Sequence, residues 1–323
     1  MNNEEKSTPL LSVAVSVYNR DKYIARALDS ILMQKVNFSY EMVVGDDFST
    51  DDTRKILLTY QQKYPEKFVL LLPEKNQGAL NNALQIYKNC KGKYIAILEG
   101  DDYWNYEYKL QKQIDFLEEN NDYVACFHDA VIENNLFIES GTSENKNMYS
   151  SYKYYSQFNK YSEETMVWDI IQRKIIPTAS LVFRNMGFDD FFESFKKVHL
   201  SLQWALQLYL IKNSKFKYFN QPWSVYNNHS KGITKTLDVL EFNKNNINIL
   251  KIISLNNFYK KYPIDIKKAI LEEFKQILYN KNLYKKSFFL FAKNYLLYLF
   301  YNFSLLYSET QYFFGLRMKR KKS

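Results

Sequence analysis

The strongest chemical signal in the sequence is a cluster of acidic residues that follows a hydrophobic run. The run covers residues 94–98, and the residues after it read Glu99-Gly100-Asp101-Asp102-Tyr103-Trp104. Three carboxylates this close together could hold a hard divalent cation, because Mg²⁺ binds oxygen ligands and shares one or two carboxylates with substrate phosphates. An acidic turn that binds nothing is the simpler interpretation of the cluster alone. The motifs around it favour the metal site.

Alternating strands and helices are predicted to position this cluster. Apolar runs predict strands over residues 10–17, 38–44, 68–72, 94–98 and 123–132. Helical spacing predicts helices over residues 21–33, 53–64, 81–90, 110–119, 163–173, 200–212, 264–279 and 286–301. Residues 134–162 are polar and weakly periodic, which predicts a long connection. Strands that alternate with helices through short loops form parallel sheets with right-handed crossovers. The sequence therefore predicts an α/β fold with a mostly parallel central sheet flanked by helices.

Polar side chains follow three of the predicted strands. Tyr18 and Asn19 follow the first strand, Asp46 and Asp47 follow the second, and the acidic cluster follows the fourth. In a parallel sheet these ends meet at one edge, where open α/β sheets bind their ligands. A tyrosine ring can stack on a nucleobase, a carboxylate can accept a base N–H, and a metal can hold phosphates. The edge therefore suits a nucleoside diphosphate.

Five motifs in order resemble glycosyltransferase family 2. They occupy residues 12–19, 28–34, 45–51, 76–78 and 98–104. The resemblance implies a nucleotide-diphospho-sugar transferase fold of the GT-A type and an inverting transfer from a nucleoside diphosphate sugar. UDP is the expected nucleotide, and a saccharide or a lipid-linked molecule is the expected acceptor. A catalytic domain is expected over residues 1–235, with a helical region over residues 236–323.

The resemblance also implies a role for each matching residue. Tyr18 would stack on or flank the base, and Asp47 would accept a hydrogen bond from it, with Asp46 alongside. Glu99 and Asp101 match the two ends of the family's D-x-D motif, with Asp101 as the direct ligand of Mg²⁺ or Mn²⁺ and Glu99 nearer the ribose or the sugar. The other donor-binding positions are Asn19, Asn76, Gly78 and Asp102.

The acceptor half of the site departs from the family pattern. Related sequences carry a Gly-Asp-Trp element at the start of a helix, with the aspartate as base, and here the matching stretch is Leu202-Gln203-Trp204. An inverting transfer needs a base to take the acceptor's proton, and an amide at Gln203 cannot do this at neutral pH. Residues near this element that could substitute are Glu193, Asp190, Asp189 and His199, although each is also an ordinary surface residue.

A second element, residues 224–229, resembles the family's Tyr-Arg-x-His motif. His229 matches a residue that is expected near the metal and the diphosphate, so it is the second candidate metal ligand. Asn227 stands where the family has arginine. The other two histidines, His128 and His199, are interpreted as structural.

Composition sets limits on localisation and partners. The chain has 323 residues, a net charge of +9, and a basic C-terminal run over residues 317–322. Residues 287–307 are strongly hydrophobic, but Lys293 and Asn294 interrupt them, so a membrane-spanning helix is not expected. The segment is predicted either to pack on its own domain or to lie at a membrane surface beside the basic tail. No nucleic-acid-binding motif is visible.

The polar N-terminus and the presence of only two cysteines favour a reducing compartment without a disulfide framework. The expected location is therefore cytoplasmic, with peripheral contact at the inner face of the cytoplasmic membrane as a further expectation.

Three functions are open from the sequence. The first is an active, metal-dependent glycosyltransferase that builds a bacterial surface polysaccharide or glycoconjugate. The second is a donor-binding protein with lost or weak activity that acts as a partner subunit, because Gln203 and Asn227 replace the expected residues. The third, a nucleotidyltransferase, leaves the match at residues 101–104 unexplained.

Overall fold

The structure is a computed structural model of the 323-residue chain. It describes residues 8–134, 153–157, 159–172, 176–212, 214–229, 232, 238–280 and 288–320. Part of the polar connection predicted over residues 134–162 lies outside these residues. The chain forms two compact units. The first comprises Met1–Met166, Ile175–Glu193 and Asn213–Gly232, and the second comprises Val167–Lys174, Ser194–Lys212 and Ile233–Ser323. The domain boundary expected at residue 235 stays a prediction.

The N-terminal part of the first unit alternates strands with helices, as predicted. Its strands are β1 (Leu11–Val17), β2 (Tyr40–Asp46), β3 (Phe68–Leu71), β4 (Tyr94–Glu99), β5 (Tyr103–Trp104) and β6 (Tyr123–Asn134). Its helices are α1 (Ile24–Leu32), α2 (Thr53–Lys63), α3 (Ala79–Asn89) and α4 (Lys109–Glu119). β1, β2 and β4 are almost wholly buried along their length, as expected for parallel strands covered by helices on both faces.

The rest of the described chain adds three strands and six helices. The strands are β7 (Glu164–Thr165), β8 (Val182–Arg184) and β9 (Lys215–Asn228). The helices are α5 (Val167–Ile171), α6 (Asp189–Phe195), α7 (Leu202–Ile211), α8 (Val239–Leu255), α9 (Pro263–Leu278) and α10 (Phe288–Arg320). The helix predicted over residues 163–173 is shorter than expected, because Glu164 and Thr165 pair with β9 instead.

Nine strands of the described chain form one sheet. Its order is β3-β2-β1-β4-β8-β6-β9-β5, and β7 also pairs with β9. β3, β2, β1 and β4 run parallel to one another, β8 is antiparallel to both β4 and β6, and β9 is parallel to β6. The prediction of an α/β fold with a central sheet flanked by helices is confirmed, and four of the eight strand pairings in the described residues are parallel.

The second unit is helical in its C-terminal part. α9 and α10 pack together, with the Phe274 and Tyr301 ring centroids 5.6 Å apart and Lys267 Nζ bonded to Ser304 O at 3.2 Å. α10 is longer than the helix predicted over residues 286–301. Among the helices in the described residues, none has the combination of length and apolar character needed to cross a membrane.

Candidate active site

The candidate site begins where β1, β2 and β4 end together. The parallel register aligns Val17 with Asp46 and Ser16 with Glu99, so the three polar motifs predicted from the sequence meet at one edge. Gly100 lies against β1, with its N–H donating to Ser16 O at 3.0 Å. A Cβ at Gly100 would lie only 2.7 Å from Val17 Cγ2. This close approach requires a glycine between Glu99 and Asp101.

Asp101 is the carboxylate with the strongest cationic contacts in this cluster. Its Oδ2 accepts a hydrogen bond from Arg20 Nε at 2.6 Å and lies 3.1 Å from His229 Nε2. Burial by itself raises the pKa of Asp101, but the hydrogen bond with His229 and the charge of Arg20 outweigh it, and the net pKa is lowered. Asp101 is therefore ionised at neutral pH.

The pKa values of the two neighbouring acids, Glu99 and Asp102, are raised rather than lowered. Burial, reinforced by the charge of Asp101, raises the pKa of Glu99 to about 7. Burial and the charges of Asp101 and Glu99 raise the pKa of Asp102 well above its ordinary value. Asp102 Oδ1 accepts a hydrogen bond from Asn227 N at 2.9 Å, which attaches the acidic motif to β9. Asp102 therefore has a structural contact that the motif did not reveal.

Arg20 and Tyr23 contact the candidate site residues Asp101 and His229, and sequence reasoning missed both of them. Arg20 Nη1 donates to the carbonyl oxygens of Tyr18 at 3.1 Å and Asn19 at 3.0 Å, which orients the guanidinium toward Asp101. Tyr23 stacks on the buried ring of His229, with 4.8 Å between ring centroids. Arg20 directly follows the Tyr18-Asn19 motif, and this adjacency in the sequence could have marked it as a site residue.

A divalent cation fits the Asp101–His229 pair. Among the described residues, no group of three or more His, Cys, Asp or Glu side chains is arranged to hold a metal by itself. One carboxylate and one imidazole nevertheless lie within 3.1 Å of each other. Mg²⁺ sites of this kind are completed by substrate phosphates and water. The donor set therefore suits a cation that arrives with a diphosphate.

The two acids after β2 make different contacts. Asp46 is fully buried, and its carboxylate accepts hydrogen bonds from Arg54 Nε at 2.8 Å and Ser49 N at 3.1 Å. Asp47 Oδ1 accepts one from Gln77 N at 2.6 Å, and Asn76 Nδ2 donates to Asp47 O at 2.9 Å. Asp46 thus holds the loop after β2, whereas Asp47 joins this loop to residues 76–78.

Gly78 ends that second loop with a positive φ of 81°, a conformation that favours glycine. Its N–H donates to Asn76 Oδ1 at 3.1 Å, and α3 begins at the next residue.

Tyr18, after β1, has 44% of its surface exposed. The part of the site predicted to bind the nucleobase therefore combines the exposed Tyr18 ring with the hydrogen-bonded side chains of Asp47 and Asn76.

Comparison with known proteins shows which family the chain belongs to. The sequence profile described as "Glycosyl transferase family 2" matches residues 12–184, which is more than half of the chain. The chain belongs to glycosyl transferase family 2. The resemblance inferred from the five motifs is therefore confirmed.

Relatives of this family 2 chain come from several bacteria. An uncharacterised protein of Mycobacterium tuberculosis is 28% identical over 226 residues, covering 69% of this chain and 60% of the relative. A putative teichuronic acid biosynthesis glycosyltransferase of Bacillus subtilis is 37% identical over 113 residues, covering 35% of this chain and 44% of the relative. The chain thus spans about 60% of the length of its mycobacterial relatives.

Solved structures share the fold at low sequence identity. The S. aureus TarS 1–349 structure in complex with UDP-GlcNAc has a TM-score of 0.56 at 17% identity and covers 82% of this chain and 72% of its own. A mannosyltransferase from Pyrobaculum calidifontis, in complex with GDP-Man and Mn²⁺, has a TM-score of 0.50 at 13% identity and covers 93% of this chain and 84% of its own. These likenesses support the GT-A-type fold of the family 2 domain.

The candidate acceptor-side residues of this family 2 chain are divided between the two compact units. Gln203 is partly buried at the second position of α7, in the second unit. The candidate substitutes on α6, Asp189, Asp190 and Glu193, are exposed, as is His199. Each therefore stays a candidate, and the base stays unassigned. Asn227 is buried, and its N–H is bonded to Asp102.

Trp104 of the acidic motif has a structural contact on each side. Its Nε1 donates to Ala179 O at 2.7 Å, and Lys109 Nζ lies 4.0 Å from its ring centroid. Burial lowers the pKa of Lys109 to about 7. Trp104 thereby anchors the segment after Asp102 inside the first unit.

Proposed function

We propose that the protein is a metal-dependent, inverting glycosyltransferase. It transfers a sugar from a nucleoside diphosphate sugar, with UDP as the nucleotide, to a hydroxyl of a saccharide or lipid-linked acceptor. The observation that carries the proposal is the Asp101–His229 pair, at the same edge of the sheet as the exposed Tyr18 and as Asp47, whose carboxylate accepts from Gln77 N. The similarity to a putative teichuronic acid biosynthesis glycosyltransferase of Bacillus subtilis supports a role in bacterial surface polysaccharide or glycoconjugate synthesis.

Each residue of the proposed site has a defined task. Asp101 and His229 would hold Mn²⁺ or Mg²⁺, and the cation would neutralise charge on the nucleoside diphosphate leaving group. Arg20 orients Asp101 through its 2.6 Å hydrogen bond. Tyr18 and Asp47 would contact the base, and Glu99 the ribose or sugar. A base on the opposite side of the sugar would take the acceptor proton. The catalytic domain would span residues 1–235, and residues 236–323 would be a helical appendage.

The alternative is a donor-binding protein with lost or weak transferase activity. The amide of Gln203 at the expected base position favours it. Such a protein would bind the donor and serve as a partner subunit of an active enzyme. The two proposals agree on the donor site and differ only in turnover.

A panel of donors separates these proposals. Purified protein is given UDP-, GDP- and dTDP-sugars with Mn²⁺, with Mg²⁺ or with EDTA, and nucleotide release and nucleotide binding are measured. The transferase proposal expects release that depends on the metal and is greatest with a UDP-sugar. Metal-dependent binding of UDP, without release of nucleotide from a donor sugar in the presence of any acceptor, would favour the alternative. Absence of nucleotide binding under every condition would contradict both.

We also propose that α10 contacts the inner face of the cytoplasmic membrane. Residues 294–308 contain no charged side chain. Leu296, Phe300, Phe303 and Tyr307 follow one another at intervals of four, three and four residues, so they share one face, and each is about two-thirds exposed. The sequence after this face carries the basic run over residues 317–322. An exposed apolar face beside basic residues suits an anionic lipid surface.

Vesicle flotation tests this contact. The triple substitution Leu296→Glu, Phe300→Glu and Phe303→Glu should reduce binding to anionic vesicles about tenfold or more, because buried apolar area and attraction to anionic lipids drive interfacial binding. Leu255→Glu makes the same chemical change at a residue that is 81% exposed at the end of α8, and it should leave flotation unchanged. Equal flotation of the triple variant and the unmodified protein would reject the contact.

A further inference from the structure

Phe48 has a backbone conformation that its side chain disfavours. It follows Asp47 in the loop after β2 with φ of 64°, in the left-handed region. Glycine adopts this region readily, whereas a bulky residue there is strained. The Phe48 side chain is also 39% exposed, so burial offsets little of that strain. Observed strain of this kind concentrates at ligand-binding sites.

The loop that carries Phe48 is held rigidly against the loop after β1. Asn19 N donates to Ser49 Oγ at 2.8 Å, and Asn19 Oδ1 accepts from Thr50 N at 2.8 Å. Phe48 N donates to Asp46 O at 2.7 Å, which makes a tight turn around Asp47. Asn19 itself has φ of 53°. The backbone position of Phe48 is therefore set by hydrogen bonds on both sides of the turn.

A charged side chain lies over the Phe48 ring. The Arg54 guanidinium lies over the ring, with Cζ 5.4 Å from the centroid, and it is held by Asp46 at 2.8 Å and Pro73 O at 3.2 Å. The exposed Tyr18 ring follows β1, which is aligned with β2 through Val17 and Asp46. Two exposed aromatic rings thus follow adjacent strand ends, and Asp47 lies next to one of them in the chain.

We infer that Phe48 contacts the nucleobase of the donor, and that its ring and Tyr18 are the two aromatic surfaces of the base site. The inference rests on the proposed function, because it assigns a further residue to the same donor site. Every nucleobase has a planar face that stacks on aromatic rings. A rigid loop that presents an exposed ring loses little conformational entropy on binding. Phe48 would therefore contribute to nucleotide affinity and leave the metal contacts at Asp101 unchanged.

The competing explanation is that Phe48 only covers the Arg54–Asp46 ion pair. Four variants separate the two explanations, and each is measured for UMP affinity without metal, UDP affinity with Mn²⁺, and thermal unfolding. Phe48→Gly removes the ring and permits the positive φ, Phe48→Leu keeps an apolar cover without a ring, and Phe48→Tyr keeps the ring. Met186→Gly removes an apolar side chain of similar exposure, 38%, from another loop.

Phe48→Gly should weaken UMP and UDP binding by the same factor, about tenfold, without a lower unfolding temperature. Phe48→Leu should show a smaller loss, and Phe48→Tyr and Met186→Gly should bind within twofold of the unmodified protein. Asp101→Ala should weaken only the metal-dependent binding of UDP. If Phe48→Gly lowers the unfolding temperature, the nucleotide affinity of Phe48→Leu tests the inference instead. Unchanged UMP affinity in either folded variant would overturn the inference, whereas failure of the unmodified protein to bind any nucleotide would overturn the proposed function instead.

Discussion

Asp101→Ala is expected to abolish metal-dependent nucleotide release, with a loss of about 100-fold or more. A metal that stabilises a leaving group contributes several kcal/mol, and each 1.36 kcal/mol is about a factor of ten in rate. Asp101 is the carboxylate that faces both Arg20, at 2.6 Å, and His229, at 3.1 Å. Its removal would leave one of the two proposed protein ligands and would take away the carboxylate partner of the Arg20 guanidinium.

The measurements are nucleotide release and Mn²⁺-dependent UDP affinity, with the unfolding temperature as a check of folding. Asp101→Asn keeps the shape of the side chain and an oxygen that can accept from Arg20, and it should lose nearly as much activity because it lacks the negative charge. Asp115→Ala removes an exposed aspartate from α4 and serves as the matched control. Normal release by both Asp101 variants would refute the metal-site assignment.

If the base is missing, as the alternative proposal holds, Gln203→Asp is expected to raise sugar transfer by about 100-fold. A positioned general base contributes about 10²- to 10⁴-fold, and the amide present now cannot accept the acceptor's proton at neutral pH. Gln203 lies in the first turn of α7, and the following Trp204 Nε1 donates to Ile170 O at 2.6 Å. An aspartate in the first turn is favoured by the helix dipole, so the change should not destabilise the helix.

The assay measures transfer to an acceptor, because the proposed base would take the proton of the acceptor hydroxyl. Gln172→Asp makes the same change at an exposed glutamine of the same compact unit, and it should leave the transfer rate unchanged. If the unmodified protein already transfers sugar and Gln203→Asp does not accelerate it, a different residue is the base. Glu193→Gln and Asp190→Asn would then be the next variants to measure.

The first part of the fold could be predicted because its determinants are local. β1, β2 and β4 are short, mostly buried apolar runs, β3 is a partly buried apolar run, and helices of amphipathic spacing lie between them. Parallel pairing with short loops then brings the strand ends to one edge. Tyr18, Asp47 and Asp101 were therefore predicted to share that edge from residue types and order alone. The observed register places them there.

The other half of the candidate site depends on long-range pairing. β9 spans Lys215–Asn228 and mixes apolar residues with lysine, asparagine and a proline, so no hydrophobic run or clean alternation marks it as a strand. Its pairing with β6 shifts register at His128, Asp129 and Ala130. The 3.1 Å approach of His229 to Asp101 joins residues 128 positions apart and follows from that pairing.

By itself, the sequence determined the family, the parallel core and the motifs that share one edge, since these depend on local hydrophobic patterns and short connections. Only the tertiary structure decided which acid is paired with Arg20, which is held by Arg54, and which is bonded to β9. Burial and neighbouring charge then separate Asp101, with its lowered pKa, from Asp102, with its raised pKa. The physical reason is that a carboxylate's charge state depends on what surrounds it in space, and those surroundings come from distant parts of the chain.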